Sequence, residues 1–344
     1  MSQVNSEISV VMSVYNGENF LSEAVESILN QTFENFEFII ISDGSTDKSS
    51  EILNSYAQQD SRIILVEQRN MGLVVSLNKG LEQARAPLIA RMDADDVSLP
   101  HRLQTQKNYM DENLNIGVLG SAIIPINEQG IQGKALSYPP VGEKLDHYIY
   151  HYGSPLAHPS VMMRRDLVIE QGSYRQEFKH AEDYDLWLRL HKVSNIDNLA
   201  EPLLQYRQHS EKISIYHAEE QAVASVMARY ISKNNLNHCD FEKIMAEANE
   251  IEKNKIEWEV IDVMAGSLLF SPDVETLEKY ENKCPQELLN NHKDIAVRVF
   301  SKFTLTAIKI RNYGLAVKYL TKSFCISPYK TLALILEKIL IRFK

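Results

Sequence analysis

Cysteine is scarce in this 344-residue chain: Cys239, Cys284 and Cys325 are the only 3, far apart and all in the last third. Such spacing makes neither a zinc-ligand set nor a disulfide framework, and it points to a reducing compartment. With 13 glycines and 11 prolines the chain is neither collagen-like nor of low complexity. Basic residues are in deficit, 36 against 46 acidic ones, which leaves a formal net charge of −10. A general nucleic-acid binder normally carries a basic face, so the balance argues against that class. No run of about 18 apolar residues occurs, and no transmembrane helix is expected. Met1 to Glu7 is polar and leads straight into a short apolar run, which is not a signal peptide. The expected location is the cytoplasm. No G-x-G-x-x-G follows a strand-like run, which weighs against a dinucleotide dehydrogenase, and the missing G-x-x-x-x-G-K-[ST] excludes a P-loop NTPase.

What is present is an ordinary globular composition, 44% hydrophobic and 24% charged, which excludes intrinsic disorder. At roughly 100–200 residues per domain, the length predicts two domains or one large domain with an appendage. The first hundred residues alternate two patterns. Apolar runs at Ile8–Val14, Phe36–Ser42, Arg62–Glu67 and Leu88–Met92 read as strands. Between them, Leu21, Ala24, Val25 and Ile28, then Ile52, Leu53 and Tyr56, then Leu73, Leu77 and Leu81 recur at helical spacing. Near-continuous apolar strands separated by amphipathic helices predict a doubly wound, mostly parallel α/β sheet covered on both faces. Such sheets bind ligands beyond the carboxyl ends of their strands. The turns after Val14, Ile41, Val66 and Met92 are therefore where a site is expected. From Ile116 to His209 short β runs (Val118–Ile124, Val161–Met163, Leu203–Tyr206) and a helix over Asp183–Lys192 are mixed with Gly/Pro turns. From about residue 215 the pattern is helical, which sets a boundary there.

Asp93-Ala94-Asp95-Asp96 follows the fourth strand. Carboxylates at i and i+2 on a strand end can face one cavity and hold a hard divalent cation through oxygen. An equally open reading is an acidic turn that caps a helix starting near Leu99-Pro100. Ser42-Asp43-Gly44-Ser45-Thr46-Asp47 ends the second strand; Ser45 or Thr46 can cap the next helix, which leaves Asp43 without a structural duty. Glu182, Asp183 and Asp185 open a helix, where negative charge is favoured by the dipole. On residue type alone they are structural. Trp187 reads as core, and His158 as either an acceptor contact or a satisfied structural histidine.

Taken in order, Val10–Asn16 (VVMSVYN), Ser27–Phe33 (SILNQTF), Ile39–Asp47 (IIISDGSTD), Asn70–Asn78 (NMGLVVSLN), Ile89–Asp96 (IARMDADD), Ala181–Arg189 (AEDYDLWLR) and Tyr206–His209 (YRQH) form a pattern. It resembles the family 2 glycosyltransferases, whose fold is the nucleotide-sugar-binding GT-A type, and it spans roughly residues 7 to 215. The style is that of bacterial enzymes that build lipooligosaccharide, capsule or O-antigen chains. The resemblance implies a GT-A domain over 1–215, with a Rossmann-like nucleotide-sugar half at 1–100 and an acceptor and catalytic half at 101–215, then a helical region at 216–344. It implies that Ser13, Tyr15 and Asn16 line a uracil pocket, that Asp43 hydrogen-bonds the base and that Asn70 lies near the uridine. Asp93 and Ala94 would meet the ribose or sugar, and Asp95 would ligate Mn²⁺ or Mg²⁺ bridging the diphosphate. His209 would approach that metal or diphosphate. Asp183 would be the base of an inverting enzyme, with Glu182 as helper. Many members carry Arg where this chain has Leu77, and Arg91 is the expected substitute cation for the diphosphate.

The implied reaction moves a sugar such as GlcNAc or Gal from a UDP-sugar to a hydroxyl of a glycan or lipid-linked acceptor. A nucleotidyltransferase also uses carboxylate-held Mg²⁺, but it would want a Gly/Lys/Arg-rich first loop, and Tyr15-Asn16-Gly17-Glu18 is not one. An Asp-x-Asp phosphatase lacks a partner lysine here. An inactive nucleotide-sugar-binding module is the non-enzyme alternative. Finally, Leu332, Ile335, Leu336, Ile339, Leu340 and Phe343 share one side of a C-terminal helix flanked by Lys330, Lys338, Arg342 and Lys344. That stripe either packs on the preceding helix, expected over Leu315 to Phe324, or lies on an anionic membrane surface.

Overall fold

The structure is a computed structural model that describes residues 6–137, 143–151, 153–209, 217–236 and 239–248, together with isolated positions between 255 and 323. The chain divides into two compact units, Met1–Ser210 and Glu211–Lys344. In the first, strands β1 (Ile8–Val14), β2 (Phe36–Asp43), β3 (Ile63–Gln68) and β4 (Leu88–Met92) alternate with helices α1 (Leu21–Leu29), α2 (Ser49–Gln59) and α3 (Leu73–Gln83). Then come β5 (Val97–Ser98), α4 (Arg102–Glu112), β6 (Ile116–Ile126), α5 (Glu143–His151), β7 (Met162–Arg164), α6 (Arg165–Glu170), α7 (Glu182–Leu190) and β8 (Asn195–Arg207). They form one 8-stranded sheet in the order β3-β2-β1-β4-β7-β6-β8-β5.

The first four strands are parallel, as their two-sided apolar character predicts. The sheet as a whole is mixed. β7 runs antiparallel to both β4 and β6, while β6 and β8 are parallel to each other. Successive residues of β1 and β4 point to opposite faces. Val10, Met12, Ala90 and Met92 join Leu21, Val25, Ile28, Leu103 and Met110 in the core. On the other face α3 presses close: a Cβ on Gly80 would lie 2.4 Å from Val11 Cγ1. Each fully buried aliphatic side chain in this core contributes about 1.5–3 kcal/mol.

Strand order runs outward in one direction from β1 and in the other from β4, so a crevice opens at the carboxyl ends of these two neighbours. β8 adds its own end to that region through hydrogen bonds to the loop after β4. In the second unit the structure describes helices Ala218–Asn234 and Phe241–Glu247. The amphipathic stripe at 332–343 lies outside the described residues, as does most of the expected helix at 315–324. Among the described residues no helix is long and apolar enough to cross a membrane.

Candidate functional site

The crevice is framed by the loops after β1, β2, β3 and β4. The first two are stapled to each other. Asn16, in the left-handed region at φ 51, accepts from Thr46 N–H at 2.8 Å and donates its own N–H to Ser45 Oγ at 3.0 Å. Gly17 N–H donates to Ser49 Oγ and Glu18 N–H to Asp47. Ser45 and Thr46 therefore hold the neighbouring loop, while Asp47 accepts from Ser49 N–H, the first of α2, at 2.9 Å. Ser13 is half-buried on β1, and Tyr15, in the turn after it, is 51% exposed.

Asp43 is not idle. Its carboxylate is buried and accepts from Gln68 Nε2 at 2.7 Å, Met71 N–H at 2.8 Å and Gly72 N–H at 2.9 Å. It thus shapes the loop that carries Asn70, a duty the sequence reading missed. Gln68, the last residue of the half-buried β3, was the available signal: a second polar residue, after Glu67, ending an apolar run. Gly44 sits at φ +70, and a Cβ there would be 2.5 Å from Asn70 N. Only glycine lets this backbone pass so close.

Asp93, Asp95 and Asp96 present carboxylate oxygens within 4.8 Å of one another. The alternative in which the tetrad caps a helix is closed, because α4 starts at Arg102 after His101 with no side-chain cap. Instead the end of β8 grips the tetrad. Arg207 N–H donates to Asp96 Oδ1 at 2.9 Å and its Nε to the Asp95 carbonyl at 2.8 Å, while its guanidinium lies 4.5 Å from the Phe20 ring centroid. His209 Nε2 lies 2.8 Å from Asp95 Oδ2, with Phe20 at 5.5 Å. Ala94 is half-buried beside Gly17, whose added Cβ would be 3.7 Å away. Three hard oxygen donors so grouped suit Mg²⁺ or Mn²⁺, with the His209 imidazole against one of them, Asp95.

Arg91 is 3% exposed, and its guanidinium is paired with Asp93 inside the protein.

Glu182 and Asp183 stand at the start of α7, where the Arg91 charge bears on both. Burial, reinforced by Asp183, pushes the Glu182 carboxyl up to about 7. Burial likewise raises Asp183 to about 6, against the pull of Tyr184 N–H and the Arg91 charge. Asp185 has a different task. It is 1% exposed and bonds both Arg175 and Arg189, which anchors the helix. Trp187 is fully buried core, as expected. Arg91 bears electrostatically on Glu182 and Asp183 and is paired with Asp93, so one buried cation links the two carboxylate sets. A raised carboxyl near neutral pH is poised to take a proton.

A family model described as "Glycosyl transferase family 2" matches residues 9–172. The O-antigen biosynthesis glycosyltransferase WbnJ of Escherichia coli is 38% identical over 208 residues, covering 59% of this chain and 80% of that one. Among solved structures, S. aureus TarS 1–349 in complex with UDP-GlcNAc has a TM-score of 0.58 at 17% identity, over 92% of this chain and 91% of that one. The mannosyltransferase PcManGT from Pyrobaculum calidifontis, in complex with GDP-Man and Mn²⁺, has a TM-score of 0.52 at 14% identity, over 89% and 87%.

Proposed function

Because this chain belongs to glycosyl transferase family 2, we propose that it transfers a hexosyl or N-acetylhexosaminyl group from a UDP-sugar to a hydroxyl of a glycan or lipid-linked acceptor, with inversion, in surface polysaccharide synthesis. That it is a glycosyltransferase with the GT-A fold follows from the family and the sheet. The donor, acceptor and stereochemistry are the reading offered here. One observation carries it: the Asp93–Asp95–Asp96 carboxylates, with His209 against Asp95, and the raised carboxyl pair of α7 both feel one buried cation, Arg91.

Donor binding is assigned to Tyr15, Ser13 and Asn70 around the base, with Asp43 and Asn16 shaping the loops that present them. Asp43 keeps acceptor capacity beyond its three internal hydrogen bonds. Asp95 and His209, with Asp93 adjacent, would hold a divalent cation. When bound, that cation offsets the charge that develops on a departing diphosphate. Arg91 holds Asp93 in place rather than meeting the diphosphate itself. WbnJ, named for O-antigen biosynthesis, supports the polysaccharide role.

The chemistry needs one base. The acceptor oxygen forms a bond to the anomeric carbon while the bond to the UDP oxygen breaks, and Asp183 takes the hydroxyl proton. UDP leaves as an anion and needs no protonation, unlike the alkoxide of glycoside hydrolysis. A retaining double displacement would want a nucleophile beneath the sugar, and the motif set supplies none. The test is a panel of UDP-GlcNAc, UDP-galactose, UDP-glucose and GDP-mannose with Mn²⁺, scored by thermal shift and nucleotide release. A UDP-sugar should stabilise the protein and be turned over. Selective response to GDP-mannose would overturn the donor assignment.

A further inference from the structure

One arginine at the end of β8 has no part in the proposed transfer, yet it ties three other stretches of chain together. Arg207 is 1% exposed. Its Nε donates to the Asp95 carbonyl at 2.8 Å, in the loop after β4. Its Nη1 donates to the carbonyls of Asn127 and Glu128, at 3.2 and 3.3 Å, in the turn after β6. Its Nη2 is paired with Glu23 of α1, whose side chain is itself 55% exposed, and the guanidinium lies over the Phe20 ring. Three of these four side-chain hydrogen bonds end on main-chain carbonyls, which cannot swing to follow a displaced donor. A planar fork that meets several such acceptors at once fixes their relative positions, which an ammonium on a flexible stem does not.

We infer that Arg207 is a positioning residue for the divalent cation: its guanidinium holds the Asp95 main chain against the end of β8, so that the Asp95 carboxylate and the His209 imidazole stay together. His209 Nε2 lies 2.8 Å from Asp95 Oδ2, across 114 residues of sequence. Both residues sit outside helices and strands. What carries His209 is the end of β8, where Arg207 stands opposite Ile126 of β6 and Gln208 N–H donates to the Ile126 carbonyl at 2.7 Å. Arg207 is thus two residues from His209 along the chain and bonded to the main chain of Asp95, so one side chain sets the separation of the pair. The turn at Asn127–Glu128 and Glu23 hold the far end of the fork and keep it from rotating. A binding constellation works only when its donor atoms are held to about 0.5 Å by neighbours of this kind. Removing such a neighbour typically costs a metal site roughly 10- to 100-fold in affinity.

The inference rests on the proposal that Asp95 and His209 hold the cation. The test titrates UDP calorimetrically into the full chain, without Mn²⁺ and with Mn²⁺ below saturation, and reads the ratio of the two affinities; metal-free thermal melts confirm folding. Arg207→Lys keeps the positive charge and gives up the fork, so the field that UDP meets without Mn²⁺ is unchanged. It should leave the Mn²⁺-free affinity near wild type and lower the Mn²⁺-dependent gain roughly 10- to 100-fold. An undiminished gain overturns the inference, and so does an equal fall in both affinities, which a purely structural role would produce. Should that variant fail to fold, Glu23→Ala decides by the same ratio, because it removes one partner of the fork at an exposed position. A gain about 2- to 5-fold smaller supports the role, and an unchanged gain overturns it. Asp95→Asn separates the two ideas. If it abolishes the gain while Arg207→Lys keeps it, only the positioning role fails; if Asp95→Asn keeps the gain, the cation assignment fails and the inference with it.

Discussion

At the residue scale the raised carboxyls of α7 make two linked predictions. Asp183 accepts the acceptor proton only when ionised, so activity should rise with pH through about 6 and fall below it. Asp183→Asn should cost about 10²–10⁴-fold in kcat and leave donor affinity almost unchanged, since the residue acts on the acceptor. Steady-state kinetics with calorimetric donor binding checks both parts. The same shift has a stability consequence of definite sign. Asp183 is raised from 3.8 to about 6 and Glu182 from 4.5 to about 7. Between those limits the folded protein retains protons that the unfolded chain has released. Stability is therefore highest below about pH 4 for these two groups and declines as pH rises through about 7. Asp183→Asn and Glu182→Gln should thus raise Tm at pH 8 by a few degrees and change it little near pH 4. Thermal melts at the two pH values decide it; equal effects at both would refute the assignment of buried charge. The tension is between stability and function: the carboxylates that destabilise the fold are those proposed to do the chemistry.

At the element scale the turn between β2 and α2 shows how tightly backbone geometry is set around the site. Gly44→Ala adds a Cβ 2.5 Å from Asn70 N at φ +70, so it carries both a left-handed strain of roughly 1–2 kcal/mol and a backbone collision. Gly72→Ala, at φ 87 and ψ 164 in a region essentially reserved for glycine, carries backbone strain alone, because its Cβ meets nothing within 4 Å. The first substitution should lower Tm clearly more than the second and weaken UDP binding, because the Asn70 segment must shift. Similar losses for both would mean that the close approach has no weight. The elements differ in how legible they are from sequence for physical reasons. β1, β2 and β4 are buried on both faces, so apolar runs mark them almost to the residue. β8 hides, because a 13-residue strand with Asn198 and Pro202 inside it and register shifts along its partner β6 shows no clean alternation. Only Leu203–Tyr206 of it stands out in the sequence. β7 has 3 residues and an antiparallel placement that no local pattern encodes. The site follows the same rule. Carboxylates at strand ends are visible as motifs, whereas the grip of Arg207 on Asp96, 111 residues away, is not. For Arg91 the sequence gives the charge but not the burial beside Asp93.

At the scale of the whole molecule, charge sets the last expectation. A nucleoside diphosphate is an anion, this chain has a net charge of −10, and its crevice concentrates Asp93, Asp95, Asp96, Glu182 and Asp183. Among the described residues, the two arginines that contact the tetrad are buried and committed: Arg91 to Asp93, and Arg207 to Glu23 and the tetrad backbone. Without a divalent cation, UDP therefore meets a repulsive field that is weakened only by salt. The screening length falls from about 30 Å at 0.01 M to about 8 Å at 0.15 M ionic strength, which spans the distance from outside the protein to the crevice. With Mn²⁺ present, held by Asp95 and His209 on the reading above, the local charge is offset and added salt has less to screen. UDP affinity without Mn²⁺ should thus improve as salt rises over that range, affinity with Mn²⁺ should change less, and the ratio between them should shrink. Asp95→Asn should abolish most of the Mn²⁺-dependent gain at every ionic strength while the protein stays folded. Calorimetric titration of UDP into both proteins, with and without Mn²⁺, supplies all the numbers needed. A ratio that grows with salt, or an Asp95→Asn protein with undiminished Mn²⁺ dependence, would show that the cation is held elsewhere and that the repulsion is met by some group other than the tetrad.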